Sequence, residues 1–289
     1  MYIFLNDRMV KEADACVSVY DHGFLYGDGI YETMRSYEGV VFMLDRHIDR
    51  LWLSASLIKL RPPGRGFLRD AIYETIEANG LSDAYVRITV SRGRGPVGLD
   101  PGLCREPTIV VIARKFKEYP AAYYQKGTEV ILARTRRNLV EAIDPRIKSL
   151  NFLNNILAKT EAVDRGAYEA IMMNKDGYIA EGTVSNIFFV RDSRLCTPSS
   201  EVGILEGITR EVVLTVAKAN GTEVVEGMFR PEDIFPAQEV FLTNTTGEVM
   251  PVSRFEHVSY GVGATTRHLH GLYRAEVSLY LEEAKRAGS

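Results

Sequence analysis

The amino-acid sequence predicts an α+β fold organised as two domains. The chain has 289 residues, about twice the common domain length. Period-two apolar runs and helical apolar stripes are mixed along it, without the regular strand–helix–strand alternation of a doubly wound sheet. Hydrophobic residues make up 46% and charged residues 25%, the usage of a chain with a buried core. The same composition excludes several classes. A formal net charge of −3 with no basic stripe speaks against nucleic-acid binding. No stretch approaches the ~20 apolar residues of a membrane span. The start, MYIFLNDRMVKEADA, reaches charge at Asp7 before any long apolar run, so no cleaved signal is expected. Cys16, Cys104 and Cys196 are odd in number and form no CxxC pair, which places the chain in a reducing cytoplasm.

Taken in order, YIFLN and CVSVY read as short strands, with Asn6-Asp7 as a turn. Ile48, Leu51, Trp52, Ala55 and Ile58 recur at three- and four-residue spacing and predict a helix over Arg46–Leu60, which Pro62-Pro63-Gly64 stops. Phe67–Ala78 reads as a second helix. Strands Tyr85–Ser91 and Thr108–Ala113 follow, joined by the Gly/Pro-rich RGRGPVGLDPG, long for a hairpin loop. These elements form a small N-terminal domain over residues 1–115. A connector over 116–125, around KEYPAAYYQKG, leads to a larger domain over 126–289. There the pattern predicts strand Glu129–Ala133, helix Ser149–Arg165, and strands at Ala170–Asn174, Val184–Val190 and Arg194–Thr197. Helix Thr209–Asn220, a short helix near Pro231, strand Glu239–Thr243 and a terminal helix after Arg267 complete it.

Four sites carry chemistry. Lys148 precedes a helix whose Leu150, Leu153, Leu157 and Glu161 mark one stripe. A cation there faces the positive end of the helix dipole, which favours the neutral amine that Schiff-base chemistry requires; a solvated lysine beside Arg146 is the plain alternative. In GILEGITREVV, Ile208-Thr209 open a helix after two glycines, a natural phosphate site or an ordinary N-cap. The hydroxyl cluster Leu242–Gly247 follows a strand and suits an anion or any turn, while Arg50 could add a charge-assisted contact or pair with a carboxylate. Glu181 enters the apolar run Ile187–Val190, so it needs a cationic partner unless it stands in water. His268 and His270 point apart on a helix, and His22, His47 and His257 lack neighbours at ligand spacing, so no metal is expected. No GxGxxG in dinucleotide context, GxSxG or Walker pattern occurs.

Taken together, YDHGFLYGDGIYE, FMLDRHIDRL, SRGRGPVGLDP, DPRIKSLNFLNNILAKTEA, GYIAEGTVSNIFFV, LEGITRE and LTNTTGEVMPV resemble the class IV aminotransferases, the fold-type-IV pyridoxal 5'-phosphate enzymes. The resemblance implies that Lys148 holds the cofactor covalently and then shuttles a proton between the substrate α-carbon and the cofactor C4′. It implies that Glu181 keeps the pyridine nitrogen protonated, so the ring acts as electron sink. By the same resemblance Arg50, Ile208, Thr209 and Thr245 hold the phosphate, and Leu205 packs on the ring face.

For substrate, Tyr85-Val86-Arg87 and Arg35 resemble the branched-chain pattern, and Tyr26, Tyr31 and Thr246 join them as expected substrate-binding residues. The loop Pro96–Asp100 lacks the Arg-x-His of D-amino-acid aminotransferases. Thr33 replaces a usual glycine and Phe152 a usual tyrosine, while GDGIYET is similar to aminodeoxychorismate lyases. The expected activity is ping-pong transfer of an amino group from Leu, Ile or Val to 2-oxoglutarate by a homodimer or higher homo-oligomer. D-amino-acid or (R)-amine transamination, aminodeoxychorismate lysis, and a non-catalytic pyridoxal-phosphate binder are the alternatives.

Overall fold

A computed structural model describes residues 1–288 of the chain, which form two units. Unit 1 takes Met1–Lys117, Ile147–Phe152 and the residues from Tyr280 on. Unit 2 takes Glu118–Arg146 and Leu153–Leu279.

Unit 1 holds strands β1 (Tyr2–Leu5), β2 (Arg8–Lys11), β3 (Gly29–Tyr37), β4 (Val40–Val41), β5 (Ala84–Ser91) and β6 (Thr108–Lys115), with helices α1 (His22–Tyr26), α2 (Leu44–Leu57) and α3 (Arg65–Ala78). The six strands form one antiparallel sheet in the order β2-β1-β6-β5-β3-β4. Burial alternates along β5 and β6, as pleated strands with one fully covered face require, while β3 is buried along nearly its whole length. Ile30 and Met34 on β3 and Val86, Ile88 and Val90 on β5 pack against Leu44, Ile48 and Leu51 of α2 and Leu68 and Ile72 of α3. Each such fully buried aliphatic side chain contributes about 1.5–3 kcal/mol.

Two expectations need correction here. Cys16–Tyr20 is irregular rather than strand, with Val17, Val19 and Tyr20 exposed. The strand β1 already has β2 on one side and β6 on the other, so its hydrogen-bonding edges are filled. The strand β3, the longest of the sheet, has no counterpart among the predicted elements. Glu32 occupies one of its core-facing positions and breaks the apolar alternation, and it is 1% exposed.

Unit 2 contains α4 (Ala121–Lys126), β7 (Thr128–Leu132), α5 (Leu153–Asp164), β8 (Glu169–Met173), β9 (Ile179–Gly182), β10 (Asn186–Arg191), β11 (Arg194–Pro198), α6 (Ile208–Ala219), β12 (Val224–Gly227), α7 (Pro231–Ile234), β13 (Glu239–Asn244), β14 (Glu248–Phe255), β15 (Val258–Ser259) and α8 (Ala264–Gly288), whose last turns belong to unit 1. The strands make a mixed sheet in the order β12-β11-β10-β13-β14-β7-β8-β9, with β15 on β14. Parallel pairing occurs at β11–β12, β14–β7 and β7–β8. The strand β14 escaped the sequence reading because Pro251 interrupts it and a central proline argues against a strand.

A third correction concerns α5, which begins at Leu153 rather than Ser149. It buries Asn155, Ala158 and Ala162, packing the alanines on Ile131, Ala170 and Met172. Leu153, Ile156 and Leu157 are exposed. The small alanine face lets the backbone approach the sheet, so the leucine stripe is left outward. No helix among the described residues is long and apolar enough to cross a membrane.

Candidate active site

In unit 1, Lys148 does not stand in the first turn of a helix, because α5 starts five residues later. A helix dipole fades within its first turn, so the expected dipole argument does not apply. The segment Ile147–Phe152 runs beside β3 instead. Lys148 C=O accepts from Tyr31 N–H at 3.0 Å and Leu150 N–H donates to Gly29 C=O at 2.9 Å. Ser54 Oγ on α2 accepts from Lys148 N–H at 3.0 Å, fixing this backbone from the other side. A Cβ at Gly29 would lie 2.7 Å from Leu150 Cδ1 and 2.8 Å from Ser91 Cα, so only glycine lets the segment come this close.

The amine is thereby delivered to Tyr31. Lys148 Nζ lies 3.3 Å from Tyr31 Oη and 4.5 Å from its ring centroid. The Arg87 guanidinium carbon stands 3.9 Å from the same centroid, and Phe152 meets Tyr31 edge-on at 5.4 Å. Burial raises the Tyr31 pKa well above the usual phenol value, and Arg87 only partly offsets it, so the hydroxyl stays neutral at any physiological pH.

The pleat puts Tyr31 and Arg35 of β3 and Tyr85 and Arg87 of β5 on one face, opposite the helices. Of these expected substrate residues, Arg87 and Tyr31 gather at Lys148. Arg35 is occupied elsewhere: its guanidinium stacks on Phe116 at 3.6 Å and on Tyr37 at 4.3 Å. Tyr26 ends α1, and its hydroxyl accepts from Gly98 N–H at 3.0 Å, tying it to the long loop.

Arg50, expected at the phosphate, is bound to Glu32. Its Nε donates to Glu32 Oε1 at 2.7 Å and Nη2 to Oε2 at 2.8 Å, and His47 Nδ1 lies 2.8 Å from Oε2. Burial opposes the Glu32 charge, but Arg50 and then His47 outweigh it and hold the carboxyl well below the usual range. His47 is pushed down by burial despite Glu32; it is neutral near pH 7, with Nδ1–H donating to the carboxylate.

In unit 2, Glu181 lies on β9 and is buried, which removes the reading of a turn glutamate in water. Arg137 Nε donates to its Oε1 at 2.7 Å. Leu205 N–H donates to Oε2 at 3.0 Å, and Asn186 Nδ2 reaches the same oxygen at 3.4 Å and Leu205 C=O at 2.9 Å. The predicted Glu181 and Leu205 therefore meet directly and are also bridged by Asn186, which opens β10 opposite Thr243 of β13. The helix α6 starts at Ile208, with Thr209 buried in its first turn and no side chain capping it. A Cβ at its N-cap Gly207 would lie 2.1 Å from Asn186 Oδ1. After β13, Asn244 Oδ1 organises the Thr245-bearing turn, accepting from Thr246 N–H at 3.1 Å and Gly247 N–H at 2.6 Å. Thr246 Oγ1 also meets Tyr119 Oη at 3.2 Å.

Sequence reasoning missed Ser54, Arg137, Asn186 and the Glu32–His47 pair. Asn186 had a signal, since it is the polar residue opening an otherwise apolar strand. Arg137 had none: it sits in ARTRRN, outside any periodic element.

A protein-family model for amino-transferase class IV matches residues 29–255. This chain belongs to that family. It is 45% identical over 253 residues to a putative branched-chain-amino-acid aminotransferase of Methanocaldococcus jannaschii, covering 87% of each chain. It is 33% identical over 286 residues to aminodeoxychorismate lyase of Bacillus subtilis, covering 97% of this chain and 96% of that one; D-alanine aminotransferases match as well. The branched-chain aminotransferase of Thermoproteus uzoniensis, solved with norvaline, superposes with a TM-score of 0.89 at 34% identity, over 95% of this chain and 93% of that one. The α+β architecture is thus that of fold-type-IV aminotransferases, and the cofactor is pyridoxal 5'-phosphate.

The residues present fit that group. In unit 1, a lysine amine held at a neutral phenol would suit the covalent link; within unit 2, a buried carboxylate oriented by three donors would suit a ring nitrogen and an uncapped helix start would suit a phosphate. Thr243 Oγ1, at the strand end that leads to the Thr245 turn, is a buried hydroxyl with no hydrogen-bond partner among the described residues.

Proposed function

We propose that this aminotransferase moves the amino group of a branched-chain L-amino acid (Leu, Ile or Val) to 2-oxoglutarate by a ping-pong route. The observation that carries this reading is Arg87 over Tyr31 beside Lys148. It offers a carboxylate-binding cation on the strand, whereas the loop Pro96–Asp100 offers no Arg-x-His.

Bound pyridoxal phosphate supplies the carbonyl that accepts the amino group and a ring that takes up the electron pair released at the substrate α-carbon. Lys148 is the covalent attachment point, and its Nζ then removes and returns the proton at that carbon. The Tyr31 hydroxyl holds the amine in position, and Arg87, with Tyr85, binds the substrate carboxylate. Glu181 keeps a proton on the ring nitrogen, while Arg137 and Asn186 hold Glu181. Leu205 packs on the ring face, and Arg50, Ile208, Thr209 and Thr245 hold the phosphate, with Arg50 steadied by Glu32.

A homodimer is part of this reading. Leu153, Ile156, Leu157 and Val163 form an exposed apolar stripe along α5, the kind of surface that suits a subunit contact. A cytoplasmic setting accords with three free cysteines.

The deciding experiment follows the cofactor's visible band in single half-reactions with L-leucine, D-alanine and aminodeoxychorismate. The band is expected to be lost with L-leucine. Loss with D-alanine alone, or pyruvate release from aminodeoxychorismate, would overturn the substrate assignment. A yellow protein that turns over no donor would make it a non-catalytic binder.

A further inference from the structure

Unit 1 also carries a groove of about 1180 Å³ whose rim includes Tyr20, Arg61, Arg94 and Arg105, together with Asp7 and Glu106. Apart from Pro96, the first residue of the loop that lacks Arg-x-His, no residue of the candidate active site lines it. Two segments supply the arginines, Arg61 from the chain between α2 and α3 and Arg94 and Arg105 from the two ends of the β5–β6 loop, and all three side chains are exposed. None of the three makes a side-chain hydrogen bond or ion pair with any described residue. Elsewhere arginines are commonly neutralised, as in Arg65–Asp49, Arg69–Asp45, Arg165–Glu256 and Arg254–Glu129.

The frame of the groove is fixed. Arg92 is buried, donates through Nε and Nη2 to Asp28 at 2.8 and 3.0 Å, and reaches Lys59 C=O at 2.9 Å and Ile58 C=O at 2.8 Å. One buried guanidinium therefore ties the base of the Arg94 loop to the chain leading into Arg61. Arg61 is followed by Pro62-Pro63, which restricts it to extended backbone. Gly95 N–H donates to Tyr20 C=O at 3.2 Å, which ties the backbone of Tyr20 to the Arg94 loop, and the Tyr20 side chain is half-exposed at the groove.

We propose that this groove binds a nucleoside polyphosphate. Guanidinium forks match phosphate oxygens in pairs, and three around one groove suit a chain of phosphates better than a single one. The volume is that of a site for a whole small molecule. Tyr20 gives a base an aromatic face to stack on, and Asp7 and Glu106 accept from sugar hydroxyls or a base amino group.

Calorimetric titration of the holoenzyme, with its cofactor bound, tests this using ATP and inorganic triphosphate at one low ionic strength. ATP is expected to bind saturably and at least about fivefold more tightly than triphosphate, the increment of one base–aromatic stack. The variant Tyr20→Ala removes that difference. Arg61→Ala, Arg94→Ala and Arg105→Ala each weaken ATP binding by about tenfold or more, the loss of one charge-assisted contact, with thermal melting and transamination of the unliganded holoenzyme unchanged. Absence of saturable binding, equal affinity for ATP and triphosphate, or undiminished binding in the triple arginine variant overturns the proposal.

Discussion

Arg137 Nε lies 2.7 Å from Glu181 Oε1, and both side chains are less than a tenth exposed. The pair converts an isolated carboxylate on a buried strand into a fixed, neutralised group. Burying either charge alone would cost several kcal/mol. Arg137 N–H also donates to Met173 C=O at 2.9 Å, so the arginine is anchored at its backbone as well as at its fork.

Removing one partner should therefore cost more than removing both. Arg137→Leu leaves Glu181 buried and uncompensated, and about 3–5 kcal/mol of stability is expected to be lost. The double variant Arg137→Leu/Glu181→Gln should recover a large part of that loss. Urea unfolding of the three proteins measures the coupling, and equal destabilisation by the single and double variants would show the pair to be unimportant. Cofactor affinity separates the two roles, since on the proposed reading only variants at Glu181 remove the partner of the ring nitrogen.

The Tyr31 hydroxyl is a direct polar contact of the Lys148 amine, at 3.3 Å. Phe152, the other ring at that position, has no hydroxyl to replace it. Tyr31→Phe is expected to lower kcat by about ten- to a hundredfold, the range of one hydrogen bond to a charged group. KM for the amino donor should change less, because the proposed carboxylate ligand, Arg87, is retained. A shift in the pH dependence of the visible band would mark the lost contact with the amine; a KM effect with kcat intact would contradict the assignment.

Much of this was legible in the sequence, and the parts that were not share a physical cause. The helices α2 and α3 and strands β5 and β6 declared themselves because one face is apolar and the other is not. The strand β3 did not, because Glu32 takes a core position and is tolerated there only through Arg50 and His47, residues 15–18 places away. The motifs single out Lys148, Glu181 and Thr209 as candidates, yet not their surroundings. The helix α5 starts at Leu153, so Ser54 and Tyr31 rather than a helix dipole meet Lys148. Long-range partners such as Arg137 leave no local period behind them.

The orientation of α5 makes an assembly prediction. Its alanines face the sheet, while Ile156 and Leu157 are 54% and 52% exposed. Placing a charge in a dimer interface at either residue should dissociate it without harming the fold of the protomer. Leu157→Asp is expected to halve the mass seen by light scattering after gel filtration, with far-UV dichroism unchanged. An unchanged mass would remove α5 from the interface.

Acid sensitivity should begin at His47. Its folded pKa lies below the ordinary 6.5, so as pH falls through that value the unfolded chain takes up a proton that the folded chain refuses. Folding stability contributed by the neutral imidazole is thus present above about 6.5 and declines below it. Glu32 acts next and with the same sign. Its carboxyl is held far below the ordinary 4.5, so the stability it confers is complete above 4.5 and is lost as pH drops from there towards its depressed folded value. The expected result is a melting temperature that falls in two stages, one starting near pH 6.5 and one near pH 4.5. Substituting His47→Gln, which keeps a donor to Glu32 but cannot titrate, should flatten the first stage and leave the second. A first stage equally steep in His47→Gln would assign the acid sensitivity to other groups.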